Sequence, residues 1–197
     1  MAKKAGFRIN DASIYRKIAR SNKYKQFSER IAQNKFNKSK KRLLEEYDAH
    51  PVTLELQSGK DGKNMSGTLG GYGNLFTFIG FPEGADPTAL VKAFLISAIK
   101  MKRVPNRNNL NVNYTVSIPS LGDFNVAKMP WEQGNNWVNA VEEGVSGFNY
   151  FMSKASNVSR SGEGIQINNK LRSVGSSANI KYMSKILIDF KKRIIGR

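Results

Sequence analysis

The chain of 197 residues contains no cysteine and a single histidine. The missing cysteines exclude structural disulfides, thiolate metal sites and cysteine nucleophiles. His50 directly precedes a proline, and no serine stands in the strand-turn-helix context that exposes a catalytic nucleophile, so nothing completes a hydrolytic triad. The acidic residues show no spacing that would place three metal ligands on one element. We therefore expect a protein that is not an enzyme and that uses no metal or other cofactor.

Long apolar runs are missing as well. No stretch approaches the roughly 18 consecutive apolar residues of a membrane span, and residues 1–13 carry basic side chains without the apolar segment of a signal peptide. The apolar fraction of 40% is nevertheless sufficient for a folded domain with an extension. We therefore expect a soluble protein made in the cytoplasm, with no membrane among its partners.

Acidic residues are scarce at both ends of the chain. The net charge is +17, and residues 1–42 hold fourteen Lys or Arg against two acids. Residues 170–197 hold eight against one, whereas residues 43–169 are close to neutral. This asymmetry predicts terminal segments that contact an acidic surface or a phosphate backbone, around a body of ordinary charge.

The basic N-terminal segment has the spacing of helices. Two pairs of apolar residues lie four positions apart, Ile14 with Ile18 and Phe27 with Ile31. Pro51 disfavours helical geometry in the residue before it and so ends the pattern. We predict a long, basic helical arm in residues 1–49 and a single α+β body in residues 50–197.

The most basic part of the arm is the segment KFNKSKKR of residues 35–42. It fits a solvated helix face and it equally fits contact with a polyanion. As a hypothesis, its cations are candidate assembly contacts: Lys35, Lys38, Lys40, Lys41 and Arg42.

The body has the pattern of an α+β fold. Alternating or continuous apolar runs predict strands of one small mixed or antiparallel sheet in residues 51–56, 74–80, 110–118 and 124–128. Asp86 and Pro87 form a good N-cap and first-turn pair before a broad apolar face, so residues 87–101 are predicted as a central helix packed across that sheet. Helical spacing near the C-terminus predicts a basic amphipathic helix, which either docks on the core or binds a membrane surface.

A glycine-rich string, SGTLGGYGN, lies between the first two predicted strands. It lacks the Lys and the Ser or Thr that follow the last glycine of a Walker loop, and it leads into an apolar run instead of the helix of a dinucleotide-binding turn. We therefore interpret its glycines as structural, in a bulge or a tight backbone crossing. They are Gly67, Gly70, Gly71 and Gly73.

Both tryptophans lie in the segment MPWEQGNNW, ahead of a second aromatic string, GVSGFNYF. Trp131 and Trp137 fit a base-stacking platform, an interface hot spot or plain core. We count both among the candidate assembly contacts. Asn135 or Asn136 is predicted to cap a short helix that carries Trp137.

The strings HPVT, SGTLGGYGNLFTFIGF, MPWEQGNNW and GVSGFNYF resemble small virion structural proteins of long-tailed bacteriophages, of the neck or tail-completion (head-to-tail connector) type. The resemblance covers roughly residues 50–190. It implies a ring-forming, homo-oligomeric subunit at the head-to-tail junction of the virion, made in the host cytoplasm. It also implies neighbouring neck, portal or tail proteins as partners, together with contact with packaged DNA.

Two functions are compatible with these observations. The first is a non-enzymatic structural protein that joins head and tail during virion assembly. The alternative is a basic nucleic-acid-binding protein that uses its terminal segments on phosphate backbones. The neutral middle of the chain favours the first, because a dedicated nucleic-acid module usually carries its basic patch on the folded domain itself.

Overall fold

The computed structural model describes residues 11–67, 74–104, 112–130, 136–143 and 181–196. These residues form seven α-helices and one two-stranded antiparallel sheet, which confirms the α+β fold class. The chain divides into two compact units, which we call the arm unit (Met1–Lys38 with Lys100–Ser117) and the core unit (Ser39–Ile99 with Ile118–Arg197). The predicted boundary between an arm of residues 1–49 and a body of residues 50–197 stays a prediction. The two units are defined by contacts within the folded chain.

The arm unit contains two helices and the sheet. Helix α1 spans Asp11–Arg20 and α2 spans Asn22–Asp48, so the predicted helices are confirmed and α2 continues from the arm unit into the core unit. The hydroxyl of Ser21, between the two helices, accepts a hydrogen bond from the backbone N–H of Tyr24 at 3.2 Å. That bond satisfies one of the free N–H groups at the start of α2.

The sheet is an antiparallel ribbon of β1 (Lys100–Val104) and β2 (Asn113–Ser117). The strand predicted over residues 110–118 is confirmed for Asn113–Ser117, whereas the described residues 112 and 118 lie outside it. Its partner β1 was not predicted, because residues 100 and 101 were assigned to the end of the preceding helix. That helix ends at Ala98, since the next residue has extended backbone angles.

The core unit is helical. Besides the end of α2 it contains α3 (Pro51–Gln57), α4 (Leu75–Ile79), α5 (Pro87–Ala98), α6 (Trp137–Glu143) and α7 (Met183–Ile195). The largest fully buried side chains are Trp137, Tyr47, Tyr182, Phe76, Phe124, Phe190, Leu43, Leu56, Leu75, Ile79, Leu95 and Ile99.

Two predicted helices of the core unit are confirmed. The carboxylate of Asp86 caps α5 by accepting from the backbone N–H groups of Thr88 and Ala89, at 2.9 and 3.1 Å. The C-terminal helix α7 buries one face, which supports docking on the core over binding to a membrane surface. The buried residues of α7 are Met183, Ile186, Leu187 and Phe190.

The strand predicted over residues 51–56 is wrong, because this segment is helix α3. Pro51 stands at the first helical position, where its missing N–H costs nothing. Val52 and Leu56 are four residues apart and fully buried, whereas Leu54 between them is 38% exposed. The apparent alternation therefore consisted of one helical pair and one solvent-facing residue.

The strand predicted over residues 74–80 is wrong as well, because Leu75–Ile79 form α4. The side chain of Asn74 accepts the N–H of Thr77 at 2.9 Å as an N-cap. Gly80 ends the helix in the left-handed conformation, with φ of 82°. A short apolar run fits either element by its period, and these two flanking residues were the signal that it is a helix.

The strand predicted over residues 124–128 is wrong too. Phe124 and Ala127 are both buried at a separation of three residues within a turn, and Lys128 makes only an isolated bridge to Asn136. The four-stranded sheet beneath the central helix is therefore replaced, in the described residues, by a two-stranded ribbon in the arm unit and a helical core unit.

A fully buried carboxylate binds the middle of the loop between α3 and α4 and the first residue of α4. Glu55 is 0% exposed, and its two oxygens accept the backbone N–H of Ser66 at 2.7 Å and of Leu75 at 2.6 Å. The side-chain amide of Asn74 lies 2.7–3.0 Å from three carbonyl oxygens of the same loop, those of Gly59, Lys60 and Gly62. Two polar side chains thus satisfy backbone groups that have no helical partner.

Replacing Glu55 with Ala should destabilise the protein by about 3 kcal/mol, because each N–H left without an acceptor costs about 1–3 kcal/mol. Urea unfolding followed by the fluorescence of the tryptophans measures this loss. Glu45→Ala is the matched control, since Glu45 is an exposed glutamate on α2 and its loss should cost no more than about 0.5 kcal/mol. Equal unfolding midpoints for the two variants would show that the loop is not held by Glu55.

Candidate interaction surface

The arm unit carries two pairs of exposed apolar residues, one pair on each of its helices, and we call these four residues together the apolar stripe. Ile14 and Ile18 of α1 are 43% and 42% exposed, and Phe27 and Ile31 of α2 are each 53% exposed. Each pair lies four residues apart and so shares one helix face. Exposed apolar residues four positions apart on a helix form an apolar face that is accessible for packing.

Further along α2, burial and charge separate to opposite sides. Phe36, Leu43 and Tyr47 recur on one side and are buried. The other side carries the exposed cations Lys35, Lys38, Lys41 and Arg42. In the arm unit, neither Lys35 nor Lys38 has an ion-pair partner among the described residues. In the core unit, Lys41 pairs with Glu45 at 3.7 Å and Arg42 with Glu46 at 3.2 Å.

Lys40 differs from the other cations of its segment. Its ammonium donates to the carbonyl oxygens of Ile96 at 2.6 Å and Ile99 at 2.9 Å. These carbonyls lie at the end of α5, where a positive charge also complements the helix dipole. Lys40 therefore joins α2 to α5 within the core unit.

Glu46 joins α2 to the C-terminal helix. Its two carboxylate oxygens accept from the guanidinium of Arg193, at 2.7 and 2.9 Å, and one of them also accepts from Arg42. A bidentate pair of this kind fixes direction as well as distance. Of the predicted assembly cations in the core unit, Lys40 and Arg42 thus have contacts within the fold, and Lys41 has only an exposed ion pair.

The structure places Trp137 in the core of the core unit. It is 1% exposed, with its ring stacked 6.3 Å from Tyr182 and edge-on at 6.3 Å to Phe81. Of the three interpretations of this residue, its position fits core. Asn136 caps α6 by accepting from the N–H of Asn139 at 2.7 Å. Trp131 lies outside the described residues.

Of the four structural glycines, Gly67 is described. Its φ of +68° lies in the left-handed region, which side chains with a β-carbon rarely adopt. It follows Ser66, the residue whose N–H is bound by Glu55. Gly70, Gly71 and Gly73 lie outside the described residues.

A polar and aromatic cluster surrounds the single histidine. The His50 ring lies 4.7 Å from that of Tyr182, whose hydroxyl is 2.7 Å from the hydroxyl of Thr53. The hydroxyl of Tyr47 donates to the carbonyl of Thr88 at 3.0 Å. Burial is the main cause that raises the pKa of both tyrosine hydroxyls, so both stay protonated.

The histidine itself has a structural role in this cluster. Its Nδ1 accepts the backbone N–H of Val52 at 3.2 Å and caps α3, and the ring also bonds the backbone of Lys181. Because the Nδ1 lone pair is used by the cap, it is not available to take a proton from a substrate. The cluster supports packing and capping better than acid–base chemistry.

A second basic surface was missed by the sequence reasoning. On the ribbon, Lys100 lies opposite Ser117 and Lys102 opposite Thr115, so these four side chains share one face. All four are exposed. The signal was the alternation Lys-Met-Lys, which a strand converts into two lysines on one side. It was overlooked because these residues were assigned to a helix end.

No family model, curated protein or solved structure matches this chain. Within the described residues, no group of three or more His, Cys, Asp or Glu side chains could hold a metal ion. In the same part of the chain, no helix is both long and apolar enough to cross a bilayer.

The cap made by His50 predicts a dependence of stability on pH. Burial is the main cause that lowers the pKa of His50. The hydrogen bond to the backbone of Lys181 raises this pKa, and the charge of the nearby Lys185 lowers it further. As the pH falls, the unfolded chain therefore gains the histidine proton before the folded protein does. The stabilisation is fully present above the ordinary His pKa of about 6.5 and is lost as the pH falls from there toward the lowered pKa of the folded state.

The urea midpoint of the natural chain should therefore drop between about pH 7 and about pH 5.5. The variant His50→Asn keeps an N-cap acceptor without a titrating ring, so its midpoint should drop less over the same range. Carboxyl groups titrate in both proteins and cancel in the comparison. Parallel curves for the two proteins would contradict a role of His50 in the pH dependence.

Proposed function

We propose that this chain is a non-enzymatic structural protein of a tailed bacteriophage particle. It forms a homo-oligomeric ring in the neck, as a neck or tail-completion subunit that joins head and tail. Its partners are copies of itself and neighbouring neck, portal or tail proteins. The observation that carries the proposal is the apolar stripe of the arm unit, formed by Ile14, Ile18, Phe27 and Ile31.

The stripe favours assembly because its four apolar side chains are exposed in the part of the chain that the structure describes. A fully exposed side chain of this size gains about 1.5–3 kcal/mol when it is buried, and one that is about half exposed gains roughly half of that. The two exposed residues of each pair lie four positions apart and are anchors for a helix that lies in an apolar groove, which is a common way for one protein to hold another.

Charge indicates which surfaces the arm avoids. The arm unit holds fifteen Lys or Arg against two acids, whereas the core unit holds seventeen against thirteen. Two arm units repel each other, so a ring made through the arms alone is disfavoured. The core unit is only weakly basic, so an arm that reaches the core unit of the next copy meets much less repulsion, and one that reaches an acidic neighbouring protein meets none.

The position in a virion rests on the resemblance of the strings HPVT, SGTLGGYGNLFTFIGF, MPWEQGNNW and GVSGFNYF. The first string contains His50, the cap of α3, and the second contains Ser66, whose N–H Glu55 binds, and Asn74, the cap of α4. These residues of the two strings are features of a folding scaffold.

The variant Ile14→Gln, Ile18→Gln, Phe27→Gln, Ile31→Gln tests the proposal. We expect its free energy of unfolding to change by no more than about 0.5 kcal/mol per site, the usual range for surface substitutions, because all four side chains are already exposed. We also expect it to lose ring formation in sedimentation velocity and negative-stain images, and to give particles without joined tails.

The matched control changes four equally exposed apolar residues of the core unit, Leu90, Ile96, Ile188 and Ile195, to Gln. This control should assemble as the natural chain does. Normal rings and tailed particles from the arm variant would contradict the proposal, as would a loss of assembly that is equal in both variants.

A further inference from the structure

One face of the ribbon in the arm unit consists almost entirely of exposed side chains that can donate hydrogen bonds. The β1 residues Lys100 and Lys102 face the hydroxyls of Ser117 and Thr115, and Asn113 extends the same face beside Val104. Five of these six side chains can donate hydrogen bonds, and all six are exposed. The opposite face differs, since Met101, Tyr114 and Val116 are half-buried there and Arg103 is its one exposed residue in the paired part of the ribbon.

The cations of this face are unpaired in the part of the chain that the structure describes. Neither Lys100 nor Lys102 forms an ion pair there. The sequence from 100 to 117 contains four Lys or Arg and no acidic residue. An unneutralised positive face of this kind attracts an extended anion and releases the counterions that surround it.

We propose that this ribbon face binds the phosphate backbone of a nucleic-acid duplex, without base specificity. Lysine, hydroxyl and amide side chains are the groups that proteins use on phosphate oxygens. The face lacks the apolar centre that a protein–protein interface requires, since Val104 at its end is its one apolar member. An acidic protein is therefore a poorer match than a polyphosphate.

The geometry of a strand suits this ligand. Residues two apart in a strand are separated by about 6.8 Å, and one strand of a duplex places a phosphate about every 3.4 Å along its axis. Two lysines on one side of β1 are therefore close enough together to contact two phosphates of the same duplex. The ribbon is distinct from the apolar stripe, so the inference holds whether or not the chain assembles in a phage neck.

The test measures binding of the natural chain and of Lys100→Gln, Lys102→Gln to a short random-sequence DNA duplex by fluorescence anisotropy over a salt series. Each lost phosphate contact lowers the slope of log affinity against log salt by about 0.9, so we expect the double variant to lower the magnitude of the slope by about 1.8. The variant Lys100→Arg, Lys102→Arg keeps both charges and should keep the natural slope, which separates lost contacts from lost folding.

The control variant Lys63→Gln, Lys191→Gln removes the same charge from two exposed lysines of the core unit and should leave the slope unchanged. An unchanged slope in the ribbon variant, or an equal fall in the control, would overturn the inference. It would also be overturned if a polyglutamate peptide of equal charge bound more tightly than the duplex and lost that binding in the ribbon variant, because the face would then belong to an acidic protein. Ring formation is measured separately, so failure here leaves the assembly proposal standing.

Discussion

The fold depends on how the last third of α2 is fixed in the core unit. Leu43 and Tyr47 are fully buried, Lys40 bonds the final carbonyls of α5, and Glu46 holds Arg193 of α7 through two hydrogen bonds. One helix thus connects segments far apart in sequence by burial, by capping and by a bidentate ion pair. The same helix begins in the arm unit, where Phe27 and Ile31 are exposed.

The sequence predicted the fold class and the helices whose signals were local. The Asp86 cap with Pro87, the helical pairs of the arm and the amphipathic α7 all follow from spacing that depends on no distant partner. The predictions for the segments at Val52 and Leu75 were wrong because a run of five to seven apolar-rich residues is compatible with the period of a strand and with that of a helix. Their helical state is decided by caps at His50 and Asn74 together with tertiary burial, which the pattern of apolar residues alone does not contain.

The charge balance also depends on how the chain is divided. Counted along the chain, the residues between 43 and 169 are close to neutral, and this favoured an assembly protein over one that binds nucleic acid. In the folded chain, Lys100, Lys102 and Arg103 belong to the same unit as the basic arm, although in sequence they lie in the neutral middle. A charge balance taken over sequence segments differs from one taken over folded units whenever a ribbon from the middle of the chain joins one end.

The two proposed surfaces of the arm unit differ in the physical force that each can use. The apolar stripe gains from removal of water, which salt does not weaken, whereas the lysines of the ribbon gain from counterion release, which salt opposes directly. A chain that holds a protein neighbour through the first surface and a phosphate backbone through the second could therefore lose the nucleic acid at high salt and stay assembled. The stripe and the ribbon belong to one compact unit, but the two kinds of binding can be told apart because they respond differently to salt.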